Sequence, residues 1–381
     1  MPKEPFISII IPVRNFERTL DKTFEYLMQV EYPRDRMEIV IADGGSSDGT
    51  VPLIKQYQEK YPFIKLVEIP NCPSPGYARN RALEEVKGDF LFFTDGDCAL
   101  CKNWIYEMLK HFQRDEKIGI VGGEVYTLRV EKDNIVEAWC EHFRFNMVSP
   151  RYGFIKEGYF PLLSDMYPTQ IAGHRAYFFV TANVAYRKKA IDQANAKFWT
   201  KPTGEDIDFC YQVQRAGWKL YFAPRAKVDH MHRANLQQLL KVWITYGAAH
   251  APLLDKYSKN RMELILQLDR ARPKISFPFP IKGFIYFGNF HLFQIFGLAS
   301  LILFILTMNN PASLTLLISF SLCFIFFAFF TYKFIRWCIP MEPKKNLFDW
   351  IKMKYLTNLY FIRGGLKGSL KYKTFCIEPS F

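Results

Sequence analysis

Apolar residues follow two rhythms along this chain. In the first, short β-branched runs alternate with stretches of helical spacing. Residues 6–13 (Phe-Ile-Ser-Ile-Ile-Ile-Pro-Val), 37–42 (Met-Glu-Ile-Val-Ile-Ala), 64–69 and 89–94 read as strands. A continuous apolar run of that length, bounded by turn residues, suits a strand covered on both faces. Helical patterns lie between them near 17–30, 50–60 and 76–87. This alternation predicts βαβ units and an α/β domain with a mostly parallel central sheet. The stretch 124–200 is less regular, with 176–183 reading as a further strand. A helix near 205–216, a strand at 218–222 and an amphipathic helix near 235–249 follow.

The second rhythm begins after about residue 275. Residues 290–308 and 312–332 contain no formal charge, and each is long enough to cross a bilayer as a helix. Only Asn309, Asn310 and Pro311 separate them, so the pair predicts an antiparallel transmembrane hairpin. Lys274 and Lys282 precede it, Lys333, Arg336, Lys344 and Lys345 follow it, and the linker carries no basic residue. The positive-inside rule then places both flanks, and both termini, in the cytoplasm of a two-span membrane protein. The expected division is a catalytic domain at 1–275, a membrane region at 276–336 and a basic tail at 337–381. Between 333 and 381 there are ten basic and three acidic residues, and Phe348, Ile351, Tyr355, Leu359 and Ile362 recur at helical spacing. That pattern fits an amphipathic helix on an anionic membrane; packing of the stripe on the protein's own domain is the alternative.

Composition sharpens this picture. Aromatic residues reach 17%, Phe alone 36 residues, which is high for a soluble enzyme. The net charge of +13 favours anionic partners, whether phosphate-bearing substrates, nucleic acid or acidic lipid, with a solvated basic surface as the alternative. No zinc framework emerges from the eight cysteines, and Cys98 with Cys101 forms a lone C-x-x-C. They are expected to be reduced packing residues. The start runs directly into a strand, with no signal-peptide pattern.

The candidate chemistry lies where ligands bind in such sheets, beyond the carboxyl ends of the strands. Thr94-Asp95-Gly96-Asp97 closes the fourth strand. In an extended chain, residues i and i+2 point the same way, so the two carboxylates can converge on a hard cation, Mg²⁺ or Mn²⁺. Such a cation can hold diphosphate oxygens. Asp43-Gly44-Gly45-Ser46 follows the second strand, where Asp43 can accept hydrogen bonds from a ribose or base; Asp48 can instead serve as a helix N-cap. Gly204-Glu205-Asp206-Ile207-Asp208 opens a helix. Acidic residues there are favourable on dipole grounds alone, yet one can also act as a general base.

Together these blocks closely resemble the family 2 glycosyltransferases, inverting enzymes with a GT-A fold. The resemblance covers about residues 6–250. It rests on Ile11-Pro12-Val13-Arg14-Asn15, on Asp43 through Thr50, on Ala78-Arg79-Asn80-Arg81-Ala82-Leu83 before Asp95-Gly96-Asp97, and on Gly204-Glu205-Asp206-Ile207-Asp208-Phe209. Val228-Asp229-His230-Met231-His232-Arg233 is similar to the family's V-x-H-x-H-R block. The resemblance implies Pro12, Arg14, Asn15, Asp43, Arg79, Asp95 and Asn183 around the nucleotide sugar. It implies Asp97, Asp95 and His230 as ligands of a Mn or Mg ion, and Asp206 as base with Glu205 as its understudy. Thr181 stands where members carry a Gly beside Ala-Asn. The expected reaction is a single inverting displacement from a UDP- or GDP-sugar onto a hydroxyl of a membrane lipid or lipid-linked acceptor, with no nucleic-acid partner. A polyprenyl-phosphate acceptor and a non-catalytic nucleotide-binding membrane scaffold are the alternatives. A processive synthase is disfavoured, because Q-x-x-R-W is missing and two spans cannot enclose a pore.

Overall fold

A computed structural model describes residues 4–145, 147–148, 156–161, 177–267, 273–339 and 347–378. These fall into two compact units, one ending at Asn235 and the other beginning at Leu236. The expected boundary at 275 therefore lies inside the second unit.

The first unit is built on β1 (Ile7–Val13), β2 (Met37–Asp43), β3 (Ile64–Glu68), β4 (Phe90–Phe93), β5 (Cys98–Leu100), β6 (Ile118–Leu128), β7 (Gly158–Phe160), β8 (Val184–Arg187) and β9 (Lys219–Met231). Its helices are α1 (Glu17–Leu27), α2 (Thr50–Lys60), α3 (Pro75–Leu83), α4 (Trp104–Arg114), α5 (Ile135–His142), α6 (Lys188–Ala194) and α7 (Glu205–Arg215). The strands form one sheet in the order β3-β2-β1-β4-β8-β6-β9-β5, with β7 also paired to β9. Residues 7–13 and 37–43 are buried at every position, as the unbroken apolar runs require.

The sheet is mixed rather than mostly parallel. β3, β2, β1 and β4 run parallel, as do β6 and β9. β8 runs antiparallel to both β4 and β6, and β5 and β7 antiparallel to β9. The reason lies at residues 177–183. Phe178 and Phe179 are buried, but Thr181 and Ala182 form a turn and the strand starts only at Val184. The chain turns at the ligand edge and re-enters the sheet backwards, with Val184 opposite Phe93. The apolar run expected as a strand at 176–183 is thus core filling before the strand; residue 176 lies outside the described residues.

The second unit contains α8 (Leu236–Tyr257), β10 (Arg261–Leu266), β11 (Lys274–Pro278), β12 (Gly283–Phe287), α9 (Asn289–Asn309), α10 (Leu314–Cys338), α11 (Leu347–Tyr372) and β13 (Phe375–Ile377). The four strands make a small sheet, β11-β10-β12-β13. α9 and α10 are long and apolar enough to cross a membrane, and they expose Leu298, Leu301, Ile305, Leu317, Phe324, Ile325 and Phe329. A core helix of a water-soluble protein buries such residues; these two do not. α11 crosses α8 at glycines. A Cβ on Gly364 would lie 2.0 Å from the Ile244 carbonyl oxygen, and one on Gly247 2.0 Å from that of Phe361. Helix 347–372 therefore packs within the protein on one side, whereas Lys344 and Lys345 of the expected tail lie outside the described residues.

Candidate active site

The carboxyl ends of β1, β2 and β4 come to one edge of the sheet, and the Asp95-Gly96-Asp97 turn is fastened there. Thr19 and Thr23 of α1 each donate a hydroxyl bond of 3.1 Å to the Gly96 carbonyl. The Met231 amide donates to the Asp97 carbonyl at 2.8 Å. A Cβ on Gly96 would meet Val13 Cγ1 at 2.9 Å and the Phe16 ring at 3.0 Å, so only glycine lets the turn lie this close.

This pinning presents Asp97 to β9. Cys98 pairs with His230 across the β5–β9 ladder, and His230 Nε2 lies 3.3 Å from Asp97 Oδ1. Ligand atoms of Asp97, Cys98 and His230 all fall within 4.8 Å of one another. His230 Nδ1 is buried without a hydrogen-bond partner. Burial raises the Asp97 carboxyl above its ordinary value, against the pull of His230. A carboxylate, an imidazole and an orphaned ring nitrogen fit a divalent cation. Asp95 is absent from this cluster; its Oδ1 is taken by Arg79 Nη2 at 2.9 Å. The ion pair engages one of its two carboxylate oxygens.

Arg79 is the hinge of the site. It lies on α3, 3% exposed, with Nη2 on Asp95 and Nη1 on Glu205 Oε1, both at 2.9 Å. Both terminal nitrogens thus meet carboxylates, while Nε is buried without a hydrogen-bond partner. A buried cation held by two carboxylates keeps its charge, and Asp95 and Glu205 raise its affinity for the proton despite burial. Burial pushes the Glu205 carboxyl up, Arg79 pulls it down and Asp206 pushes it up again; the balance is about 7. Gly76, one turn before Arg79, lets the 198–205 segment approach: a Cβ there would lie 2.2 Å from the Trp199 carbonyl and 3.3 Å from Glu205 Cβ. Asn80 holds the Phe198 backbone at both its carbonyl (2.7 Å) and its amide (2.9 Å). α3 therefore fixes the acidic block to the strand edge through backbone and charge together.

Within that block the three acids differ. Glu205 is bound to Arg79. Asp208 is fully buried, and its Oδ2 accepts from Gln212 at 2.7 Å. Asp206 alone is partly open to solvent. Its position on the helix sets it about 200° from Asp208, which is why burial of one leaves the other at the surface.

On the nucleotide side, Asp43 is 2% exposed and folds its own loop. Its Oδ2 accepts from the Gly45 and Ser46 amides at 2.9 and 3.0 Å, and its Oδ1 accepts from the Ser46 hydroxyl. Gly45 has φ 82°, the left-handed region that favours glycine. Asn15 at φ 59° ties this loop to β1: its amide donates to Ser46 Oγ and its Oδ1 accepts from the Ser47 amide. Asp48 accepts from the Glu17 and Thr50 amides, a structural brace, although the cap residue itself is Gly49. Pro12 is buried in β1, while Arg14 and Asn15 are exposed beyond its end.

Asn183 is the clearest departure. Expected beside the donor sugar, it is 1% exposed. Its Oδ1 accepts from Trp104 Nε1, and its Nδ2 donates to the Glu124 and Ala226 carbonyls, each at 2.8 Å. Every polar atom of the amide is spent on closing the sheet where β8 begins. Sequence reasoning also passed over Arg18. Its guanidinium reaches the His232 carbonyl at 3.1 Å and the buried Glu137 at 2.5 Å, bracing the end of β9 that carries His230. His232 stacks on His230 and bonds Thr127 Oγ1 at 2.9 Å, and burial holds it well below the usual imidazole range, neutral. Only the proximity of Arg18 to the Pro12–Asn15 segment hinted at this role.

The model of the family "Glycosyl transferase family 2" matches residues 8–193. A relative from Methanococcus voltae is named dolichyl N-acetyl-alpha-D-glucosaminyl phosphate 3-beta-D-2,3-diacetamido-2,3-dideoxy-beta-D-glucuronosyltransferase. It is 26% identical over 260 residues, 66% of this chain and 74% of the relative. The probable glycosyltransferase YdaM of Bacillus subtilis is 27% identical over 59% of this chain, and the match spans only 50% of that protein. A mannosyltransferase, PcManGT, from Pyrobaculum calidifontis, solved with GDP-Man and Mn²⁺, shares the fold with TM-score 0.52 at 15% identity, over 97% of this chain and 88% of that one. With the sheet, the strand-end carboxylates and these likenesses together, residues 8–193 form a family 2 glycosyltransferase domain of GT-A fold, and the protein is an enzyme of the glycosyltransferase class.

Proposed function

We propose that this enzyme transfers a sugar from a nucleoside diphosphate sugar to a hydroxyl of a lipid-linked saccharide or glycolipid, with inversion at the anomeric carbon. The observation that carries this reading is the Arg79 bridge, which sets the acidic block beside the Asp95–Asp97 turn. The Asp43–Ser46 loop and the exposed Arg14 and Asn15 border the nucleotide; Asp95, oriented by Arg79, lies next to the donor sugar. Asp97 and His230 would hold a Mn²⁺ or Mg²⁺ ion, which supplies positive charge to the diphosphate. Asp206, the one acid of its block with solvent access, takes the proton from the acceptor hydroxyl as that oxygen attacks the anomeric carbon from the face opposite the leaving group. Glu205 and Arg79 keep Asp206 in place and do not themselves meet the acceptor.

The membrane side of the proposal rests on α9 and α10, whose exposed apolar surface suits lipid. With basic residues before α9 and after α10, the positive-inside rule sets both termini in the cytoplasm. The Methanococcus voltae relative is named for a dolichyl-phosphate-linked sugar, which favours a lipid-linked acceptor here. A bare polyprenyl phosphate is disfavoured, because it is ionised near neutral pH and leaves Asp206 without a proton to remove.

The test is donor hydrolysis and thermal shift across a panel of UDP- and GDP-sugars with Mn²⁺ or Mg²⁺. One donor should stabilise the protein and be slowly hydrolysed only with the cation. Chelation with EDTA should abolish both effects, as should Asp97→Ala. Full activity in chelator would sink the metal assignment.

A further inference from the structure

We propose that α11 is an interfacial helix that seats a row of leucines in the acyl boundary of an anionic membrane leaflet. The proposal builds on the reading of α9 and α10 as membrane spans.

Three sides of α11 have three different surroundings. One side is filled by protein: Trp350, Met353, Thr357, Phe361, Gly364, Gly365 and Gly368 are buried, and the glycines meet α8 backbone to backbone. The second side holds the feet of the hairpin. Ile351, Tyr355 and Ile362 pack on Phe290, Phe334 and Cys338, with the Tyr355 and Phe290 rings 5.2 Å apart. Phe290 is in the first turn of α9, and Phe334 and Cys338 are at the end of α10. Both belong to the same end of the hairpin, so α11 is fixed where the chain enters and leaves the apolar pair. Lys354 strengthens that joint, with its Nζ 4.0 Å above the ring of Trp337. Trp337, 46% exposed at the close of α10, is the residue type that favours a membrane–water boundary.

The stripe that carries Tyr355 and Ile362 does not stop at the hairpin. Leu359, Leu366 and Leu370 continue it at helical spacing, and they are 39%, 42% and 85% exposed. Beside them Arg363, Lys367 and Lys371 follow one another at four-residue intervals, all exposed, and no acidic residue occurs between 359 and 371. A row of leucines flanked by cations of one sign, on a helix pinned to the ends of two apolar helices, matches the boundary of acyl chains and anionic headgroups. A second copy of the chain fits poorly, since pairing two such rows would set like charges against each other.

The experiment uses the full chain reconstituted in vesicles of phosphatidylcholine with phosphatidylglycerol. A photoreactive benzophenone side chain is placed singly at positions 366, 370, 324 (on α10) and 106 (exposed on α4). Lipid adducts are expected at 366, 370 and 324 and not at 106. Exchanging Arg363, Lys367 and Lys371 for Gln should lower the yield at 370 by about fivefold or more, and the loss should vanish in vesicles without the anionic lipid. Adducts at 324 but not at 366 and 370 would overturn the interfacial placement and leave the spans standing. No adduct at 324 would overturn the span reading itself, and the placement with it. A protein–protein adduct at 370 in place of lipid would assign the row to a second copy of the chain.

Discussion

The two units of this protein treat the same side chains in opposite ways. In the catalytic unit Phe92 and Phe93 are fully buried, while in the second unit Phe324 and Phe329 are about half exposed. Charge shows the reverse. The catalytic unit buries Arg79, Asp97 and Glu205 and gives them partners within the site, whereas the faces of α9 and α10 carry no formal charge along their apolar length. The difference teaches what each surrounding demands. Buried charge persists only where it is paired, and exposed phenylalanine persists in quantity only where the surroundings are apolar.

The sharpest way to break the comparison is through its charges. Asp206→Asn should lower turnover by about 10²–10⁴-fold with donor affinity, read by calorimetry, nearly unchanged. Asp208→Asn should act mainly through folding, because Asp208 is fully buried. Wild-type turnover in the first and a folded, donor-binding but dead enzyme in the second would reverse the assignment. Arg79→Met leaves two carboxylates facing each other without their cation. It should cost about 3–5 kcal/mol in the catalytic unit, seen as faster amide exchange confined to residues up to Asn235, together with loss of activity.

The phenylalanines provide a matched pair. Phe92→Ala should destabilise the catalytic unit by about 3–5 kcal/mol. Phe324→Ala, measured in detergent, should stay within about 0.5 kcal/mol, since its side chain loses little protein contact. A large cost at 324 would mean that α10 is a protein core helix after all. The smallest expected effect is a pH dependence. The Glu205 carboxyl is raised from 4.5 to about 7 in the folded protein. Its contribution is therefore fully present below pH 4.5 and is lost as pH rises through about 7. Denaturation midpoints of the catalytic unit should fall over that window in the wild type and less in Glu205→Gln, once the carboxylates that titrate lower are common to both.

The placement of the motif blocks at strand and helix ends was legible in the sequence. The Asp95-Gly96-Asp97 turn, the Asp43 loop and the acidic block opening α7 all stand where alternating patterns placed the strand and helix ends. Each is a local feature: a short apolar run, a turn and a carboxylate within a few residues. The assignments that shifted involve partners far apart in sequence. Arg79 and Glu205 are 126 positions apart, and Asn183 reaches Trp104, Glu124 and Ala226. No periodicity reports such meetings.

By itself the sequence determined the alternation of β1–β4 with α1–α3, the family's motif blocks, the two apolar helices and the basic stripe beyond them, because propensity and hydrophobic period act over one or two turns. Tertiary structure alone decided that β8 runs backwards through a mixed sheet, that α8 belongs to the second unit, and that Asp95 pairs with Arg79. It also decided that one side of α11 is buried on glycines. In each case a side chain or strand was chosen by what packing brought beside it, and burial made that choice costly to change.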